Sequence, residues 1–110
     1  MVEKTSTDTI LVGTLSSAVA GCGLLNPDFV LVDEAAQATE PETLHPLTVC
    51  GVNSRFLLVG DHKQLSATII SRDSAAVGLG VSLFERLAAD PGLTIVVLDI
   101  QYRMPEAIVA

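Results

Sequence analysis

Phe29-Val30-Leu31-Val32-Asp33-Glu34-Ala35-Ala36-Gln37 is the stretch that decides the fold of this 110-residue chain. Four consecutive apolar residues without polar alternation are what a strand buried on both faces of a sheet requires, and this run ends abruptly in two carboxylates. Strands of that kind belong to parallel sheets covered by helices, so the class is α/β. Side chains alternate along a strand, which predicts that Asp33 and Glu34 face different ways and do different work.

The pattern recurs. Arg55-Phe56-Leu57-Leu58-Val59 runs into Gly60-Asp61-His62-Lys63-Gln64-Leu65, and Thr94-Ile95-Val96-Val97-Leu98 leads to Gln101-Tyr102-Arg103-Met104. Thr9-Ile10-Leu11-Val12 reads as a further short strand. Open parallel sheets bind ligands at the carboxyl ends of their strands, so three polar clusters after three apolar runs predict one cleft. In phosphoryl transfer, an adjacent pair of acids can divide the holding of a magnesium ion from the alignment of the attacking water.

The ordered set of an acidic pair, Gly60-Asp61-x-x-Gln64-Leu65 and Gln101-Tyr102-Arg103-Met104 resembles motifs II, III and IV of superfamily 1 helicases. The branch is the one that contains the nonsense-mediated-decay helicase, senataxin and the nuclease-helicase of Okazaki-fragment maturation. The resemblance runs from about Thr9 to the end, through Ala38-Thr39-Glu40-Pro41-Glu42 and Ser82-Leu83-Phe84-Glu85-Arg86-Leu87. It implies a fragment of a RecA-like P-loop NTPase domain, with parallel strands and flanking helices. Residues 1–92 are then the distal half of a first RecA-like domain (motifs Ic, II and III), and 93–110 the opening strand and motif IV of a second.

The resemblance also implies roles. Asp33 holds magnesium, Glu34 is the base or orienter for the hydrolytic water, and Gln37 links motif II to motif III. Gln64 can donate to a γ-phosphate oxygen and accept from the water, because an amide does both. Gly60 permits a close backbone approach, and Asp61 orients neighbouring loop amides. Arg103 reaches a phosphate across the cleft with a planar guanidinium suited to it, and Tyr102 stacks on adenine. Gln101 supports the loop. Thr14 or Ser16 touches the nucleic-acid backbone in motif Ic, or else simply caps the following helix. The implied ligands are ATP and Mg2+, and the implied partner is single-stranded RNA or DNA. Two departures stand out: Ser66-Ala67 replaces the Pro-Pro that stiffens motif III in many relatives, and Pro105 follows Met104 directly where relatives often have His-Pro.

A net charge of −7 argues against a freestanding nucleic-acid-binding module, since phosphate contacts come mainly from Lys and Arg, of which there are six. Two cysteines make no disulfide framework, and Cys22, His45, Cys50 and His62 lack the short paired spacing of a zinc site. No apolar run approaches the ~18 residues of a membrane span, and an intracellular setting, cytoplasmic or nuclear, is expected. The sequence does not set an oligomeric state. Adjacent carboxyls cannot flank a bond from opposite faces, which excludes a glycosidase. No Gly-x-x-x-x-Gly-Lys-Ser/Thr occurs, so the phosphate-cradling loop is absent from this sequence. Two readings follow: a segment of an ATP-dependent helicase or translocase that is inactive alone, or a non-catalytic helicase-like interaction protein or truncated paralogue.

Local signals complete the reading. Met1 to Asp8 is polar and is expected to be frayed or truncated, and a short helix is expected after Gly13. Thr39 caps a helix reaching about Val49, with Pro41 just inside and Glu40 and Glu42 on the favourable end of its dipole. A helical turn is expected near Ser74–Val77 and a core-packed helix over 81–89, ended by Asp90-Pro91-Gly92.

Overall fold

The computed structural model describes residues 9–22, 26–105 and 108. The segment 1–8, expected to be frayed or truncated, lies outside them. Among the described residues the helices are α1 (Leu15–Cys22), α2 (Glu40–Leu44), α3 (Arg72–Ala76) and α4 (Leu83–Ala88), and the strands are β1 (Phe29–Val32) and β2 (Arg55–Leu58). The strands pair in parallel, in the register Phe29 with Arg55 through Val32 with Leu58. Parallel strands need a long crossover, and the 3-10 turn Ala35–Gln37, α2 and a 3-10 segment at His45–Val49 supply it.

The two apolar runs that specify the strands are covered on one face only. Phe29 and Leu31 each keep 54% of their surface and Leu57 keeps 44%, while Val32 is buried at 5%. Two-sided burial is therefore corrected to one-sided. The buried residues gather where β1 ends: Val32, Ala35, Ala36, Ala67 and Leu83, with Thr43 and Ser82 among them. Both polar members are satisfied locally, Thr43 Oγ1 donating to the Thr39 carbonyl at 3.2 Å and Ser82 Oγ accepting from the Glu85 amide at 3.1 Å.

Two further strands expected from sequence do not form. Residues 94–98 lie outside any sheet and are open to solvent, with Val96, Val97 and Leu98 at 77%, 79% and 85% exposure, and residues 9–12 are likewise outside any sheet. A strand exists only by exchanging backbone hydrogen bonds with a neighbour, and among the described residues neither run has one. β-branched composition supplies propensity and no partner.

α2 stops short of the expected end at Val49. Pro46 has no amide to donate and restricts the residue before it, so the chain tightens into the 3-10 turn at His45–Val49. At the other end Thr39 caps as expected, and Glu42 proves to be more than a dipole charge. Its Oε2 accepts from both the Thr39 amide and the Thr39 hydroxyl, each at 2.8 Å. Such a Thr-x-x-Glu capping box ties the start of a helix to the residue before it. Those two bonds, the backbone one first, hold the Glu42 carboxyl below the usual glutamate range. Ser71 and Ser82 cap α3 and α4 by accepting from the amides of Ser74 and Glu85. The Asp90–Gly92 turn closes α4, with the Gly92 amide donating to Asp90 Oδ1 at 2.8 Å.

Thr39→Ala removes the hydroxyl from this cap and should weaken α2 by about 1 kcal/mol, visible as roughly fivefold faster amide exchange at Thr43. Because Glu42 is depressed in the folded state, its contribution is full above the unfolded value of about 4.3 and fades only as pH falls through the lowered one. Acidification of Glu42→Gln should accordingly show a smaller stability change over that window than acidification of the unaltered chain. Equal acid sensitivity of the two would refute the cap's contribution.

Candidate functional site at the strand ends

The two strands are held in register beyond their own ends. The Val59 amide donates to the Val32 carbonyl at 2.8 Å, and the Ala35 amide donates to the Val59 carbonyl at 2.8 Å. The polar residues after β1 and those after β2 thus leave the sheet side by side, at the same edge. The sequence-derived expectation that Asp33, Glu34 and Gln64 occupy one end of parallel strands has the strand direction it needs.

The turn after β1 is built from its own side chains. Glu34 lies in the left-handed region at φ 53°, ψ 35°, a conformation that costs an ordinary residue roughly 1–3 kcal/mol. Its amide donates to Asp33 Oδ1 at 3.0 Å, its carbonyl accepts from the Gln37 amide at 2.9 Å, and its Oε2 accepts from Gln37 Nε2 at 3.0 Å. Asp33 and Glu34 lie beyond β1 in a turn, so strand alternation does not set their directions. The left-handed kink at Glu34 does. Gln37, expected to bridge toward the second loop, instead holds the Glu34 carboxylate within the first.

The loop after β2 is equally self-contained. Asp61 accepts the Lys63 amide on Oδ1 at 2.9 Å and Gln64 Nε2 on Oδ2 at 2.9 Å, while its carbonyl accepts the Gln64 amide at 3.2 Å. The Lys63 amide first and the Gln64 side chain second keep the Asp61 carboxyl below the usual aspartate range. Asp61 orients the loop amides, as the sequence reading expected. A Cβ on Gly60 would stand 3.0 Å from the Ala36 nitrogen and 3.2 Å from the Ala35 nitrogen, so any side chain there would press the second loop away from the backbone of the first turn.

The remaining candidates stand apart from this cluster. Gln101 braces its own turn, donating from Nε2 to the Met104 carbonyl and accepting the Met104 amide on Oε1, both at 2.9 Å. Tyr102 and Arg103 are exposed, and among the described residues neither has a side-chain hydrogen bond or ion pair to the strand-end loops. Thr14 is engaged with Ser17: its amide donates to Ser17 Oγ at 3.0 Å, and the two hydroxyls lie 2.9 Å apart. Helix capping therefore accounts for Thr14, whereas Ser16 is exposed. No group of three or more His, Cys, Asp or Glu residues is placed to hold a metal among the described residues. The Cys22 side chain lies outside them. No described helix is long and apolar enough to cross a membrane.

Sequence reasoning missed Glu40 and Arg86. They form a two-pronged ion pair between α2 and α4, with Nε to Oε2 at 2.8 Å and Nη2 to Oε1 at 2.7 Å. No local signal couples positions so far apart in the chain.

Comparison with known proteins adds a family. A family model for the AAA domain matches residues 3–72. The chain is 42% identical over 83 residues to the DNA replication ATP-dependent helicase/nuclease DNA2 of Mus musculus, which covers 76% of this chain and 7% of that protein. It is 42% identical over 103 residues to the 3'-5' exoribonuclease HELZ2 of Homo sapiens, covering 94% of this chain and 3% of that protein. To the Regulator of nonsense transcripts 1 homolog of Arabidopsis thaliana it is 51% identical over 79 residues, covering 72% of this chain and 6% of that protein. The chain spans a small fraction of each of these relatives.

Gly60→Ala should force the two loops apart, because the atoms it meets are backbone and cannot rotate away. Overpacking of this kind costs about 1–3 kcal/mol. The expected result is a loss of stability in that range, together with faster exchange of the Ala35 amide as its bond to Val59 lengthens. Unchanged exchange at Ala35 would disprove the close approach.

Proposed function

We propose a function from the premise that the chain belongs to the superfamily 1 helicases that carry this AAA domain: it supplies part of the ATP-hydrolysing cleft of a DNA or RNA helicase. On this reading residues 1–92 are the distal half of a first RecA-like domain and 93–110 open a second. The observation that carries it is the parallel pairing that brings the Asp33-Glu34 turn and the Gly60–Gln64 loop to one sheet edge. Ligands of open α/β sheets bind at such edges.

Asp33 fits magnesium by its donor chemistry. Oδ1 accepts the Glu34 amide, and Oδ2 accepts no hydrogen bond among the described residues. Magnesium is commonly held by one or two carboxylates, with waters and phosphate oxygens completing its shell. When bound, it neutralises charge on the phosphates. Glu34 takes the proton of the attacking water, and Gln37 fixes the carboxylate that does so. Gln64 aligns the water or a γ-phosphate oxygen with its amide, from a loop ordered by Gly60 and Asp61. Tyr102 stacks on the base, and Arg103 meets developing phosphate charge when the two domains close. Ser16, with Thr14, lies on the segment that would contact single-stranded nucleic acid, in a cytoplasmic or nuclear setting.

Three measurements test this. The 110-residue chain alone should show no nucleic-acid-stimulated ATP turnover, and robust turnover would overturn the division of the site. In a helicase that contains this segment, Glu34→Gln should lower kcat by 10²-fold or more, on the order expected for loss of a general base, while leaving ATP binding nearly unchanged. Asp33→Ala should raise the magnesium concentration required for nucleotide binding. Near-normal hydrolysis by Glu34→Gln would sink the assignment.

A further inference from the structure

α4 touches both loops of the strand-end site. It begins at buried Ser82 and seats Leu83, 4% exposed, in the small core beside Ala35 and Ala36 of the first turn, which are 0% and 3% exposed. One residue on, the Phe84 ring lies 6.4 Å from the His62 ring at 39°, within the range of an aromatic contact, and His62 belongs to the second loop. Arg86 then grips Glu40, the first residue of α2, with two hydrogen bonds of 2.8 and 2.7 Å from Nε and Nη2 to the two carboxylate oxygens. α2 is the direct continuation of the first turn. A single short helix is thus fastened to one loop by a ring contact and to the other by packing and a fork of hydrogen bonds.

We propose that Arg86 is a positioning residue: by its two-pronged hold on Glu40 it clasps α4 over the Asp33–Gln37 turn and the His62 loop, and so fixes Glu34 and Gln64 relative to each other. A partly exposed ion pair adds little to global stability, but a planar guanidinium on a carboxylate specifies an orientation that an ammonium cannot. α4 spans only Leu83–Ala88, too short to hold its own angle against the sheet without such a fixture. The pair is well formed from both sides: Arg86 draws the Glu40 carboxyl below its ordinary range, and Glu40 raises the Arg86 guanidinium. The catalytic consequence rests on the ATP-site reading above, whereas the clasp itself does not.

The test has two arms. In the 110-residue chain, Arg86→Ala should raise amide exchange by roughly fivefold at Ala35 and Gln64, whose bonds to Val59 and Asp61 lie in the two loops. In a helicase containing the segment, Arg86→Ala should lower kcat by a similar factor of about five with little change in KM for ATP. Arg86→Lys should be nearly as impaired as Arg86→Ala, since it keeps the charge and loses the fork. The exchanged pair Glu40→Arg with Arg86→Glu should recover most of both losses, and it remains informative if Arg86→Ala does not fold. Unchanged exchange at Ala35 and Gln64, or full activity of Arg86→Lys, overturns the clasp. A wild-type helicase without ATP turnover, in which loop exchange still responds to Arg86→Ala, overturns the ATP-site reading and supports the clasp.

Discussion

Two backbone hydrogen bonds beyond the strand ends organise this molecule. Val59 to Val32 and Ala35 to Val59 extend the parallel pairing past the last regular residue of each strand. They bring together two loops that the sequence keeps almost thirty positions apart. Everything chemical about the site depends on this alignment, because an acidic turn or an amide-bearing loop alone is only a polar strand end. Gly60 leaves room for it, since a side chain there would crowd the Ala35 and Ala36 backbone.

Around that alignment each loop satisfies itself. The first turn uses Asp33 and Gln37 to hold Glu34 in a left-handed conformation, and the second uses Asp61 to hold Lys63 and Gln64. Such internal bonding keeps the loops ordered before anything binds. Under the proposed function, Gln64 would have to loosen from Asp61, or use its remaining hydrogen and carbonyl, to engage a phosphate or a water. Preorganisation and engagement compete for the same side chain, and α4 holds the two loops together from outside that competition.

Much of this was legible in the residues. Apolar runs at 29–32 and 55–58 announced two strands, and their common direction followed from polar clusters at the carboxyl ends. Thr39 sits where its cap was expected, and Gln101 braces the turn it was assigned to, whereas the caps at Ser71 and Ser82 were not anticipated. What escaped was non-local. Propensity could not tell that 94–98 lacks a neighbour to bond with, nor that Phe29, Leu31 and Leu57 would be covered on one side only. Pairing of Glu40 with Arg86 depends on how two helices cross. Glu42 is the exception, since Thr39-x-x-Glu42 is a local pattern that could have been read as a capping box.

The one-sided sheet has a thermodynamic signature. The heat capacity and denaturant sensitivity of unfolding scale with newly exposed surface, and a native state that already shows half of Phe29 and Leu31 to water has less left to expose. The chain should therefore melt over a broad temperature interval, with a shallow dependence on urea and a flattened stability curve. Its cold and heat limits would lie closer to those of a loosely packed state than its secondary structure suggests.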